Sequence, residues 1–222
     1  MINYIRNLKI RLKLYILIGV ALIGMFIIGG MSFFLMGRMN DMTNDITTSW
    51  LPSIDTARDL TATLSNIRLN ELGYLTAISD EIEASSLQYL QSEKEDMATL
   101  LGTYEELIDE EERDFYNHAV NLWTQYKSAD EEMMALAGQG RTEEARAILE
   151  GECVDLYNSL NSAFHDIISY NTQGSDDATQ ESLFLYRTAV GVMAAVIIII
   201  ICVGVFFSFV IIRLIKTPIS EI

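Results

Sequence analysis

Between Thr188 and Ile212 the chain carries no charged residue, and it includes the unbroken run Val196-Ile197-Ile198-Ile199-Ile200-Ile201. At about 1.5 Å rise per residue, a helix of that length crosses a hydrocarbon core of about 30 Å. A core helix of a soluble protein would keep a polar face, and this stretch keeps none. A second uncharged stretch, Leu14 to Met36, lies near the other end, with Arg6, Lys9, Arg11 and Lys13 before it and Arg38 after it. The competing reading is a secretory signal, whose apolar region runs about 7–15 residues and ends in a small-residue cleavage site. This run is longer, and no such site precedes Asn40, so a retained membrane helix is expected. The basic flanks, including Arg213 and Lys216, predict that both chain ends are cytoplasmic. The expected organisation is a basic cytoplasmic N-terminus (1–13), a first span (14–36), an extracytoplasmic domain (37–187), a second span (188–212) and the start of a cytoplasmic module (213–222).

The outer segment is acidic. Setting aside Glu221 and the six basic residues of the flanks leaves 30 acidic against 9 basic residues, a net of −21. Such a surface argues against nucleic acid as a partner, because phosphate binding needs a basic face. It would attract cations or amines, or serve as a well-solvated surface. Cys153 falls outside the membrane and Cys202 inside the second span, so no disulfide framework is expected; no metal site or cofactor is expected either. His118 and His165 fall on different helices, and no catalytic constellation surrounds them. The chain therefore reads as a non-enzyme.

Between the spans the pattern is helical throughout. Ile46, Trp50, Ile54, Ala57, Leu60, Leu64, Ile67 and Leu75 recur mostly by threes and fours, predicting a helix over 41–78 with Pro52 as a bend or restart. Ser79-Asp80 ends that helix or caps the next, which runs over 81–107 along Ile82, Ser86, Leu90, Glu93, Met97, Leu100, Tyr104 and Leu107. The carboxylates Asp109 to Glu112 suit a turn and the positive start of a third helix; the competing reading has Glu110, Glu111, Glu112 and Asp114 hold a cation. That helix carries a heptad seam of Phe115, Ala119, Leu122, Tyr126, Ala129, Met133 and Leu136. Gly138-Gln139-Gly140 stops it, and Thr142 reads as the N-cap of a fourth helix. The fourth helix starts near Glu143 and runs into the second span, with Gly174 as its weak point.

The fold class is therefore all-α: an antiparallel four-helix bundle flanked by two transmembrane helices. Helices one and four, at about 38 and 45 residues, are roughly 57 and 68 Å long, against roughly 40 Å for the inner pair. Their extra length needs other partners, and a second copy of the chain supplies them, which predicts a parallel homodimer. Gly29-Gly30 suits close helix contact within the membrane.

The layout resembles the N-terminal portion of bacterial methyl-accepting chemotaxis proteins with a four-helix-bundle sensor. The stretches that carry the resemblance are Trp50-Leu51-Pro52-Ser53-Ile54, Ile67 to Tyr74, Gly140 to Ala145, Leu149 to Glu152 and Tyr170-Asn171. Arg213 to Ile222, with Pro218, resembles the start of a HAMP linker. The resemblance implies a chemoreceptor that senses a small extracellular ligand and passes the signal through helix four and the second span to cytoplasmic signalling domains. A cytoplasmic kinase and adaptor would then be partners. The same input domain can precede a histidine kinase or a cyclase, and that alternative stays open.

Arg58 and Arg68 are the candidate ligand residues, because an arginine fork matches a carboxylate. Ten residues separate them by roughly 80° around the helix and about 15 Å along it, so one helix cannot bring both to one small anion. Two copies across a dimer axis can. The resemblance places carboxylate ligands at such an interface, with Tyr157 and Asn158 of helix four at a comparable height. The competing reading pairs the arginines with Asp59 or Glu71 on the surface. Tyr74, with Tyr104, Trp123 and Tyr126, would line a cleft or fill the core.

Overall fold

The computed structural model describes Ile10–Lys216. The expected basic residues Arg6 and Lys9 and the expected linker start at Thr217-Pro218-Ile219 lie outside the described residues. Among the described residues every regular element is a helix: α1 (Ile10–Asp45), a π-helical turn (Ile46–Trp50), α2 (Leu51–Leu75), α3 (Asp80–Leu107), α4 (Arg113–Gly138), α5 (Thr142–Glu150) and α6 (Glu152–Lys216).

The chain forms two compact units. The bundle unit is Asn44–Ala178. Its core is the inner rows of α2 to α6: Leu60, Leu64 and Ile67 face Met97 and Tyr104, Tyr126 and Met133, and Leu149, Leu160 and Phe164, all fully or almost fully buried. Threes and fours in the sequence produce these rows because a helix turns about 100° per residue. On α3 the row runs through Leu101 rather than Leu100, which is only partly buried. On α4, Phe115 stays 38% exposed while its neighbour Tyr116 turns inward, so the seam begins one residue later than expected.

The boundaries have local causes. A π-helical turn precedes Pro52, which sits in the first turn of α2, where a missing N–H costs little. Ser79 caps α3 by accepting from the Ile82 N–H. The turn after α4 places Gly140 at φ +76°, with the Arg141 N–H returning to the Leu136 carbonyl. Thr142 is not an N-cap. It is the first residue of α5, and Arg141 holds the capping position without a side-chain bond. The fourth helix breaks at Gly151 (φ −102°, ψ −98°), between α5 and α6, rather than at Gly174. Gly174 lies within α6 and seats the Trp50 indole: a Cβ there would stand 2.5 Å from the ring. Trp50 also meets Tyr170 at 6.0 Å between ring centroids, and Phe115 meets Tyr170 at 5.5 Å.

The other unit comprises the described residues on either side, up to Thr43 and from Thr179. Both of its helices are long and apolar enough to cross a membrane, and their most apolar windows are 6% and 0% buried in protein. Phe26, Phe33, Ile198 and Ile199 are openly exposed, an arrangement water would penalise and hydrocarbon would not. Ser32 Oγ contacts Met193 Sδ at 3.3 Å, and Arg38 pairs with Glu181 at 3.1 Å. The close helix approach falls at Gly24, where a Cβ would lie 2.3 Å from Ile200. At Gly29 and Gly30 a Cβ would meet nothing within 4 Å. The expected Gly29-Gly30 contact is thus replaced by one more than a helical turn earlier, because those two glycines face away from the second helix.

Candidate functional site

The inner row of α2 passes from Leu64 and Ile67 to position 71, where a glutamate sits fully buried. The Tyr126 hydroxyl of α4 lies 2.9 and 2.7 Å from its two carboxyl oxygens. Burial pushes the Glu71 carboxyl up to about 8; the Tyr126 bond works against the rise, and the neighbouring Asp130 carboxylate adds to it. Burial thus favours the protonated form of Glu71. Arg68 reaches it at 3.4 Å but makes its shorter bond, 2.8 Å, to the Leu149 carbonyl. That carbonyl lies in the last turn of α5, just before the Gly151 break, where helical partners run out. Arg68 thus ties α2 to the broken fourth helix.

On the far side of Glu71, Asp130 of α4 is fully buried and pairs through Oδ2 with Lys94 of α3. Its Oδ1 has no hydrogen-bond partner, and its charge is one of the causes that raise the Glu71 carboxyl. Cys153 of α6 closes the layer, its thiol pushed up to about 12, mainly by burial. All four bundle helices contribute to this layer.

A second polar layer lies nearer Ala178. Glu112, at the start of α4, is buried and accepts from the Tyr104 hydroxyl and the Asn171 amide, while its N–H donates to Asp109 Oδ1 at 2.9 Å. Burial raises the Glu112 carboxyl, and the two donors oppose the rise. The acidic run therefore divides: Glu110 and Glu111 stay outside and Glu112 turns in.

The five candidate residues are dispersed. Arg58 is exposed and pairs loosely with Asp55 at 3.7 Å rather than with Asp59. Arg68 is held inside the bundle, and Glu71 is no surface partner. Tyr157 is half-buried on α6 and touches Ser65 of α2 at 3.3 Å; the next residue, Asn158, is exposed. Tyr74 is half-buried at the end of α2, its hydroxyl pushed up by burial and by Glu83. Tyr104, Trp123 and Tyr126 are core. The outward face of α2 carries a second heptad row of Leu51, Asp55, Arg58, Ala62, Ser65, Leu69 and Leu72, all exposed, with Leu69 68% exposed.

Sequence periodicity alone misses the buried polar residues. A usable signal was present for most of them: Glu71, Lys94, Asp130 and Asn171 each stand four residues after a buried apolar or aromatic residue, Ile67, Leu90, Tyr126 and Ile167, on the same row. Glu112 carries no such signal.

The family described as a four helix bundle sensory module for signal transduction matches residues 7–186, and the chain belongs to it. A protein of Acetivibrio thermocellus, whose name describes it as a sensory transducer, is 29% identical over 160 residues. The match covers 70% of this chain and 28% of that relative, so the chain spans well under half the length of the protein it matches. The fold expected from the sequence, a helical bundle with two membrane-length helices, is the fold of this sensory family.

Proposed function

We propose that the chain is the input portion of a transmembrane chemoreceptor: a parallel homodimer in the cell membrane, with the bundle outside and both termini cytoplasmic. The observation that carries this reading is α6. A single helix starts at Glu152, enters the bundle core at Cys153 and runs through the uncharged stretch to Lys216. A displacement of its outer part relative to α2 reaches the far end without crossing a loop. Such signalling is a two-state bias, so the ligand must bind the two states with different affinity. The exposed α2 row suits a second copy, since apolar Leu51, Leu69 and Leu72 at heptad spacing otherwise face water. Arg58 lies on that row, and two copies would bring two exposed, only loosely paired guanidinium groups to a small carboxylate, with Tyr157 and Asn158 alongside. Tyr74 would stand at the distal edge of that face. Arg68, committed to Leu149 and Glu71, would position helix four rather than touch ligand. The output would pass through a HAMP linker to a cytoplasmic kinase and adaptor.

The test joins residues 1–222 to the cytoplasmic half of a chemoreceptor in cells lacking other receptors, and reads kinase output against a panel of carboxylates and amino acids. A response lost on inserting a flexible glycine loop after Ser182 supports relay through α6. An undiminished response with the loop in place sinks it. Disulfide trapping of Leu69→Cys in membranes tests the dimer, and monomer alone under oxidation counts against it.

A further inference from the structure

A groove of about 680 Å³ runs between α3 and α4 on the flank of the bundle. That size holds a small organic molecule. Leu90 and Met134 form its apolar wall, Asp130 and Lys94 meet within it, and the exposed Glu95 and Glu131 stand at its rim. Three carboxylates thus face one ammonium. Asp130 is the informative member: its side chain is only 1% exposed, yet just one nitrogen donor, Lys94, reaches it. A carboxylate has about four acceptor positions, and Oδ1 of Asp130 has no hydrogen-bond partner, so Lys94 fills only part of its capacity. Lys94 is 27% exposed on a flexible stem and can swing to water.

We infer that this groove binds a small primary ammonium compound with an apolar body, its ammonium taking Asp130 in place of Lys94 and its body lying on Leu90 and Met134. An anion is disfavoured by the three carboxylates. The consequence for signalling rests on the receptor reading above. Asp130 adjoins Glu71, Glu71 adjoins Arg68, and Arg68 holds the Leu149 carbonyl at the break in the fourth helix. An exchange of cations at Asp130 therefore acts on the contact that fixes α5 against α2. The groove and the exposed α2 face that carries Arg58 are separate surfaces, so the chain would have two ligand inputs of opposite charge.

The test is calorimetric titration of the full chain in lipid nanodiscs with 2-phenylethylamine, and with 3-phenylpropionate as the anionic counterpart of similar shape. The amine is expected to bind with a Kd below about 1 mM, a range usual for small ligands, and the anion at least tenfold more weakly at this groove. Ala98→Trp fills the groove from an exposed position and should abolish amine binding while the melting temperature holds. Lys94→Met removes the competing cation and should tighten amine binding several-fold. Arg58→Ala should leave amine binding unchanged, which separates this site from the carboxylate site. Absence of amine binding to the wild-type chain, retention in Ala98→Trp, or weakening in Lys94→Met would each overturn the assignment. Kinase output in the hybrid receptor is a separate readout, so its failure would strike the receptor reading and leave the binding result standing.

Discussion

The two buried polar layers of the bundle are built from similar parts and closed in different ways. Each places a glutamate against a tyrosine hydroxyl, Glu71 on Tyr126 and Glu112 on Tyr104. Around Glu112 the side-chain donors are neutral: the Tyr104 hydroxyl and the Asn171 amide, itself bound to the Ile167 carbonyl at 3.0 Å, with Tyr116 6.1 Å from Tyr104. The charged contact is the exposed Asp109 carboxylate, which accepts from the Glu112 N–H, and no cation pairs with Glu112 among the described residues. Around Glu71 the partners are charged: Arg68 on one side, and Asp130 with Lys94 on the other. A layer closed by neutral donors fixes register and does little else. A charged layer with a partly exposed lysine has more than one arrangement of charge, and its balance can be altered from outside. The two layers therefore differ in how far a change of charge outside the core can reach them.

The most severe way to break the contrast is Asp130→Ala, which leaves Lys94 facing a buried, half-neutral layer. Removal of one partner from a buried pair costs about 3–5 kcal/mol, somewhat less here because Lys94 can reach water. A melting midpoint from circular dichroism that stays at the wild-type value would show the layer to be cosmetic.

Next comes pH. The folded Glu71 carboxyl sits above its unfolded value, 4.5 against about 8, so the folded state binds the extra proton between those limits. Stability is full at the acid end and falls as pH rises through that window, by on the order of a few kcal/mol. Glu112 is shifted the same way and adds to the slope. Glu71→Gln mimics the neutral acid, so its melting temperature should vary less between pH 5 and pH 8.5 than that of the wild type. Equal slopes in the two proteins would show that Glu71 is ionised in the fold.

Tyr104→Phe sharpens the other side of the comparison. It removes one of the two side-chain donors to Glu112 and should cost about 1–3 kcal/mol by the same measurement. The smallest effect belongs to Arg58→Ala, whose 3.7 Å pair with Asp55 is exposed to water. It should shift stability by less than about 0.5 kcal/mol. Arg68→Ala, which frees the Leu149 carbonyl, should cost clearly more. Equal effects at the two arginines would contradict the separation of an outer and an inner role.

Some of this was legible in one dimension. The apolar row of α2, that of α4 from Ala119 onward, the cap at Ser79 and the stop at Gly140 followed from spacing and local chemistry. The break at Gly151 did not, because a glycine inside an apolar row is compatible with an unbroken helix until packing selects one bend. Gly174 looked like a weak point and is a seat for Trp50, since its meaning depends on an indole 124 residues earlier in the chain. Arg58 and Arg68 were indistinguishable as letters. Burial separates them, and burial is a property of neighbours.

What the sequence determined by itself is the helical periodicity and the two stretches too apolar for water. Both follow from short-range rules: about 3.6 residues per turn, and the cost of exposing hydrocarbon. The tertiary structure alone decided which polar residues lie inside. Glu71, Lys94, Tyr126, Asp130 and the Leu149 carbonyl come from four separate helices, and a buried charge is tolerated only where such distant partners converge. That convergence is long-range geometry, which no single segment encodes.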